Sequence, residues 1–210
     1  MTGAALLLLA LTLVVAAGNW LAVERDLLWL EYVCKPLTMV LLLLACLALD
    51  VDSDAARAWF LVALAFCLAG DVFLMLPQDL FVPGLASFLV GHVAYIGGML
   101  ALDVTAPRLL VGGVLVTVAV LTVGGRVLRG VRRVERALAG PVLAYILVIS
   151  AMVATAVGTG RVLAVLGAVS FYVSDSLIAW NRFLASTPHA RLSVMVTYHL
   201  GQIGLVLALT

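Results

Sequence analysis

This chain of 210 residues has little charge: Asp, Glu, Lys and Arg together make up 11% of it. A soluble domain carries about a quarter. With 65% of residues apolar and a mean hydropathy of +1.25, the surplus apolar surface must face lipid, which makes this an integral membrane protein. A net charge of +1 argues against a nucleic-acid partner. Cysteine is scarce too. Cys34, Cys46 and Cys67 lie in apolar stretches without CxxC spacing and read as small core residues, not disulfides or metal ligands. The opening "MTGAALLLLALTLVVAAGNW" has no basic n-region and is long enough to span, so it is expected to stay as a first helix, not to leave as a signal peptide. Neither HExxH nor GxSxG occurs. Of the three histidines, His189 falls in a loop away from His92 and His199, which disfavours a three-histidine zinc site. No metal and no cofactor are expected.

What is abundant is the long apolar run. A span needs about 20 such residues, and the chain supplies eight, near 3–23, 33–49, 58–76, 80–102, 108–124, 138–157, 161–181 and 190–209. The fold class is therefore all-α, a polytopic membrane protein with eight transmembrane helices. Polar breaks separate them, among them "ERDLLWLE" and "GGRVLRGVRRVER", and Pro36 and Pro141 are expected in the first turn of their helices. The loops after helices 1, 3, 5 and 7 hold Arg25, Arg126, Arg129, Arg132, Arg133, Arg136, Arg182 and Arg191, whereas the opposite loops hold only Arg57, Arg108 and Arg161. The basic side is expected in the cytoplasm and both termini outside.

Three near-constant offsets suggest a repeat. Lys35-Pro36 matches Gly140-Pro141, Gly70-Asp71 matches Ser174-Asp175, and "HVAYIG" matches "HLGQIG", each about half a chain apart. Two parallel four-helix halves, 1–105 and 106–210 of a single membrane domain, are the expectation.

The few ionisable residues inside spans gather at one depth. Lys35 opens helix 2, Asp71 and Asp175 lie towards the ends of helices 3 and 7, and His92, Tyr198, His199 and Gln202 lie in the cytoplasmic half or near the middle of helices 4 and 8. Tyr172 shares a face with Asp175 and Arg182, Asn181 lies on an adjacent face, and Tyr95 follows His92 by one turn. Lys35 has a bland alternative, snorkelling to the surface and pairing with Glu31. The histidines, Tyr198 and Gln202 have one as well, as interhelical hydrogen-bonding groups. A lone carboxylate several residues deep has no such local use, and marks Asp71 and Asp175 as functional. The arginine-rich stretch is most simply a topological anchor touching anionic lipid.

"KP" in helix 2, "GD" in helix 3, "FLVGHVAY" in helix 4, "GAVSFYVSD" and "NRF" in helix 7, and "YHLGQ" in helix 8 together resemble the YhhN-like lysoplasmalogenase family, from Lys35 to Gln202. That resemblance implies an integral membrane hydrolase that cleaves the vinyl ether bond of a lysoplasmalogen (lysoplasmenylethanolamine or lysoplasmenylcholine) to a fatty aldehyde and a glycerophospho-base. It also implies that Asp71 and Asp175 are catalytic. Acid protonation of the vinyl ether β-carbon requires one carboxyl group kept protonated and one ionised, a division that two carboxyls in a poorly solvated site can hold. The reading faces Asp71 and Asp175 across a cavity between helices 3 and 7. Lys35 and Arg182 are assigned to the phosphate, with His92, Tyr95, Tyr172, Asn181, Tyr198, His199 and Gln202 as further substrate contacts. The expected partners are a lysophospholipid and the bilayer. An Ala-, Val-, Leu- and Arg-rich composition points to a bacterial inner membrane. The rival reading is a small proton-coupled transporter or channel, which needs a polar path reachable from both sides.

Overall fold

The computed structural model describes residues 1–210 and contains helices without a single strand. Eight helices follow one another through short loops: α1 (Gly3–Glu24), α2 (Leu28–Ala48), α3 (Asp54–Met75), α4 (Phe81–Leu100), α5 (Ala106–Val134), α6 (Ala139–Thr159), α7 (Val162–Phe183) and α8 (Ala190–Leu207). The first seven are long and apolar enough to cross a membrane. α8 falls outside that class because Arg191, Tyr198, His199 and Gln202 dilute its apolar run. It turns Tyr198, His199 and Gln202 into the protein, where all three are buried.

Local chemistry sets several ends. Thr2 and Ser53 cap α1 and α3 by accepting from the Ala5 and Ala56 N–H at 3.1 and 3.2 Å. Gly160, at φ 70°, lets the chain leave α6 through the left-handed conformation.

Two expected boundaries move. α2 starts at Leu28, not near 33, because the chain turns back within Arg25–Leu27 through Asp26 at φ 51°. Pro36 therefore lies more than two turns inside α2, not in its first turn, and leaves the Tyr32 carbonyl without its helical donor. α5 does not stop at 124 either. It passes through a π-helical stretch, Val120–Gly124, and continues through the arginines to Val134. Arginine is a good helix former. Val127, Gly130 and Val131, at helical spacing, bury against the bundle while the arginines point out.

Glycine sets how closely α7 meets α8. A Cβ on Gly167 would lie 2.6 Å from the Leu205 amide nitrogen, so any side chain there would part the helices. α5 lies at the opposite extreme. Its stretch Ala106–Ala119 buries only Gly112, and Leu110, Val114 and Leu121 stay exposed, as a lipid-facing helix must.

Candidate active site

Asp71 sits one turn before the end of α3, with its side chain 2% exposed. The Lys35 ammonium on α2 lies 3.3 Å from its Oδ1, and the Tyr198 hydroxyl on α8 donates to Oδ2 at 2.6 Å. Lys35 is itself 7% exposed. It therefore does not snorkel, and Glu31 is engaged by Arg191 at 2.7 Å instead. A buried pair of this kind is costly to break by removing one partner, roughly 3–5 kcal/mol, because the other charge is stranded.

Asp175 occupies a separate cluster. The Tyr145 hydroxyl on α6 donates to its Oδ2 at 2.5 Å. His92 on α4 points Nε2 at the same oxygen from 3.7 Å, beyond hydrogen-bond reach. No ammonium or guanidinium lies within ion-pair distance of Asp175. Rings join the two clusters. His92 packs 5.3 Å from Tyr145 and 4.7 Å from Phe171, Phe171 packs 5.2 Å from Tyr198, and Phe88 lies 6.1 and 5.9 Å from those last two.

Two cavities meet here. An apolar one of about 680 Å³, its open mouth included, is bounded by Phe88, Ile149 and the π-helical part of α5, with Tyr145, Tyr172, Asp175 and Ser176 as its polar groups. A polar vestibule of about 960 Å³, likewise open, is lined by Glu31, Lys35, Asp79, Asn181, Arg182 and Arg191. Leu74, Phe81 and Ile178 belong to the walls of both. The apolar cavity and the charged vestibule thus lie side by side against these three side chains.

At the vestibule rim Arg182 forms a two-pronged pair with Asp79 at 3.1 and 3.3 Å. Its guanidinium lies 4.0 Å over the Phe81 ring. Hydrogen bonding to Arg182, then its charge, holds the Asp79 carboxyl below the usual carboxylate range. Arg191 ties Asp26 and Glu31 together at 2.9 and 2.7 Å.

Of the residues that the sequence reading assigned to phosphate or substrate, Lys35, Asn181 and Arg182 line the vestibule, and Tyr172 lines the apolar cavity together with Asp175. Asn181 is occupied, however. It donates to the Leu177 carbonyl at 2.7 Å and accepts from the Thr187 N–H at 2.7 Å, which pins the α7–α8 loop. Tyr198 touches Asp71. Asp71, His92, Tyr95, Tyr198, His199 and Gln202 line neither cavity, so Asp71 and Asp175 do not face each other across one as expected: rings of Phe88 and Phe171 pack between their clusters. Tyr95 donates to the Gln202 carbonyl oxygen in the core, and His199 accepts from the Trp20 indole at 3.1 Å. Tyr145 escaped the sequence reading, which named Glu31 only as a partner for Lys35 and Arg191 only as a loop arginine. Tyr145 left one signal, being the only aromatic residue in α6.

The YhhN family model matches residues 30–209. The mouse (Mus musculus) protein named lysoplasmalogenase TMEM86B is 32% identical over 192 residues, 90% of this chain and 79% of that one. The human protein of the same name is 32% identical over 70% of this chain and 61% of its own. A Mycobacterium tuberculosis protein named lysoplasmalogenase is 31% identical over 77% and 64%. No solved structure matches the chain.

Proposed function

The chain belongs to the YhhN family, and from that premise we propose that this site hydrolyses the vinyl ether bond of a lysoplasmalogen. The observation that carries the reading is the position of Asp175, which lines an apolar cavity that adjoins a charged vestibule at Leu74, Phe81 and Ile178. An amphiphile with one chain and one phosphorylated head group has that distribution of polarity. Relatives named lysoplasmalogenase support the same substrate.

Chemistry follows from the surroundings of the two carboxyls. Asp175 has a hydroxyl donor and no cation, so it is the member that carries a proton to give. It protonates the β-carbon of the alkenyl ether, leaving an oxocarbenium ion between chain and glycerol. The cation is met by the Asp175 carboxylate once its proton is given, while Asp71, whose charge is balanced by Lys35, holds that lysine at the vestibule. Water adds to the cationic carbon and returns its proton to Asp175. The hemiacetal then collapses to a fatty aldehyde and a glycerophospho-base. Lys35 and Arg182 face the phosphate. The membrane protein is multi-pass, and the arginine count supports an orientation with the basic face in a bacterial cytoplasm. The offsets of 104 to 107 residues, together with Asp71 and Asp175 occurring on the third and seventh helices, support an origin in two four-helix halves.

Purified protein in nanodiscs, given lysoplasmenylethanolamine, should release fatty aldehyde, and the Asp175→Asn variant should not. An inactive wild type, or an active variant, would overturn the proposal.

A further inference from the structure

Resting on that reading, we propose that the vestibule selects a phosphodiester carrying a primary ammonium over one carrying a trimethylammonium, and that Glu31 makes the choice. The vestibule lining has three cations, Lys35, Arg182 and Arg191, and two carboxylates, Glu31 and Asp79. Such mixed charge suits a zwitterion better than a simple anion. Arg182 is held by Asp79, 72% exposed, whereas Arg191 is held both by Asp26, 80% exposed, and by the sheltered Glu31. Screened pairs are weak, so Arg182 can turn to a phosphate while Arg191 stays with Glu31.

Glu31 differs from those rim carboxylates. Its side chain is only 15% exposed, one oxygen is held by Arg191 at 2.7 Å, and the other has no hydrogen-bond partner. It stands one helical turn from Lys35 on the same face of α2, which puts about 6 Å between their Cβ atoms. A carboxylate and a cation are thereby set out in the order that a phosphate and an amine joined by two carbons require. A primary ammonium brings three N–H donors and forms a charge-assisted hydrogen bond with a sheltered carboxylate.

A trimethylammonium has no N–H, and its usual host is a set of open aromatic faces. The vestibule has one ring, Phe81, and the Arg182 guanidinium already lies 4.0 Å over it. Nothing in the lining replaces the lost hydrogen bond.

The test compares 1-O-alkyl lysophosphoethanolamine with its choline counterpart of equal chain length, each binding to full-length protein in nanodiscs by calorimetry. These ethers have no vinyl bond, so the measurement does not depend on turnover. Wild type should bind the ethanolamine lipid about tenfold more tightly, the value of one charge-assisted hydrogen bond. Glu31→Gln should bring the two Kd values together, and Glu31→Asp, which keeps the carboxylate, should keep the sign of the preference. Equal Kd values in wild type, or a gap that survives Glu31→Gln, would overturn the assignment. If the gap is present and neither plasmenyl lipid is cleaved, the hydrolase reading fails and the head-group assignment stands.

Discussion

Replacing Lys35 by methionine keeps the length and volume of the stem and removes only the charge, which strands the Asp71 carboxylate at 2% exposure. At the observed 3.3 Å separation, two unit charges in an effective dielectric of about 20 attract by roughly 5 kcal/mol. Removing one partner of a buried pair costs roughly 3–5 kcal/mol by experience with other proteins. For a chain of this size each kcal/mol lowers Tm by about 2–4 °C, so Lys35→Met should melt on the order of 10 °C below wild type in detergent. Asp71→Asn should lose a similar amount, since it strands the ammonium instead. The double variant Lys35→Met/Asp71→Asn should melt well above the sum of the two losses, because contacting residues are non-additive. Lys35→Arg keeps the charge and should recover part of the stability. A Lys35→Met protein that melts with wild type, or losses that simply add, would refute the pairing. Lys35 would then be a surface-seeking side chain, and its effect would be confined to KM.

Asp175 has no cation to strand, so Asp175→Asn should abolish aldehyde release while leaving Tm within a few degrees of wild type. Activity above roughly a hundredth of wild type would remove Asp175 as the acid, since general acid catalysis contributes about 10²–10⁴-fold. Proton transfer to carbon should also slow turnover in D₂O. Tyr145→Phe deletes the hydroxyl at 2.5 Å from Asp175 and should lower kcat with little change in KM; unaltered kcat would leave Tyr145 a packing residue. Because Asp79 is held below the usual carboxylate range by Arg182, their pair should be fully present above about pH 4. It should be lost as pH falls through the lowered value, and Asp79→Asn should remove that acid limb from a titration of head-group binding. Reporter fusions after Arg133 and at Thr210 should report cytoplasm and exterior respectively, and a cytoplasmic C-terminus would reverse the orientation.

Asp71 and Asp175 were legible because a carboxylate deep in an apolar run has no local explanation, which is a property of sequence alone. Lys35 was half legible. Its i−4 neighbour Glu31 offered a local partner, and only the packing of α2 on α3 shows that Asp71 takes it and that Arg191, far along the chain, takes Glu31. Tyr145 was hidden for a different reason: a tyrosine costs an apolar helix little, so its presence in α6 raised no question until its hydroxyl was seen on Asp175. The end of α5 was misjudged because hydropathy treats consecutive arginines as loop. Their helix propensity and the buried Val127–Gly130–Val131 face decide otherwise. Tyr95, His199 and Gln202 sit at the expected depth, yet face neighbouring helices instead of either cavity, a matter of rotation about the helix axis that depth cannot supply.

The way each aspartate is held also bears on how such a chain can be made. Helices leave the ribosome in order, and each carboxylate must enter the bilayer before later helices exist. Asp71 arrives on α3 just after Lys35 on α2, and Asp175 arrives on α7 just after Tyr145 on α6. Each acid is therefore met by a partner already in place from the helix before it. The second contacts come from farther away, His92 from α4 to Asp175 and Tyr198 from α8 to Asp71. Tyr198 is synthesised among the last residues of this sequence, so the Asp71 cluster is completed only when α8 docks. Until then the Asp71 carboxylate has Lys35 beside it but not the Tyr198 hydroxyl. Truncation before Tyr198 should therefore yield a membrane-embedded chain with an unfinished Asp71 cluster.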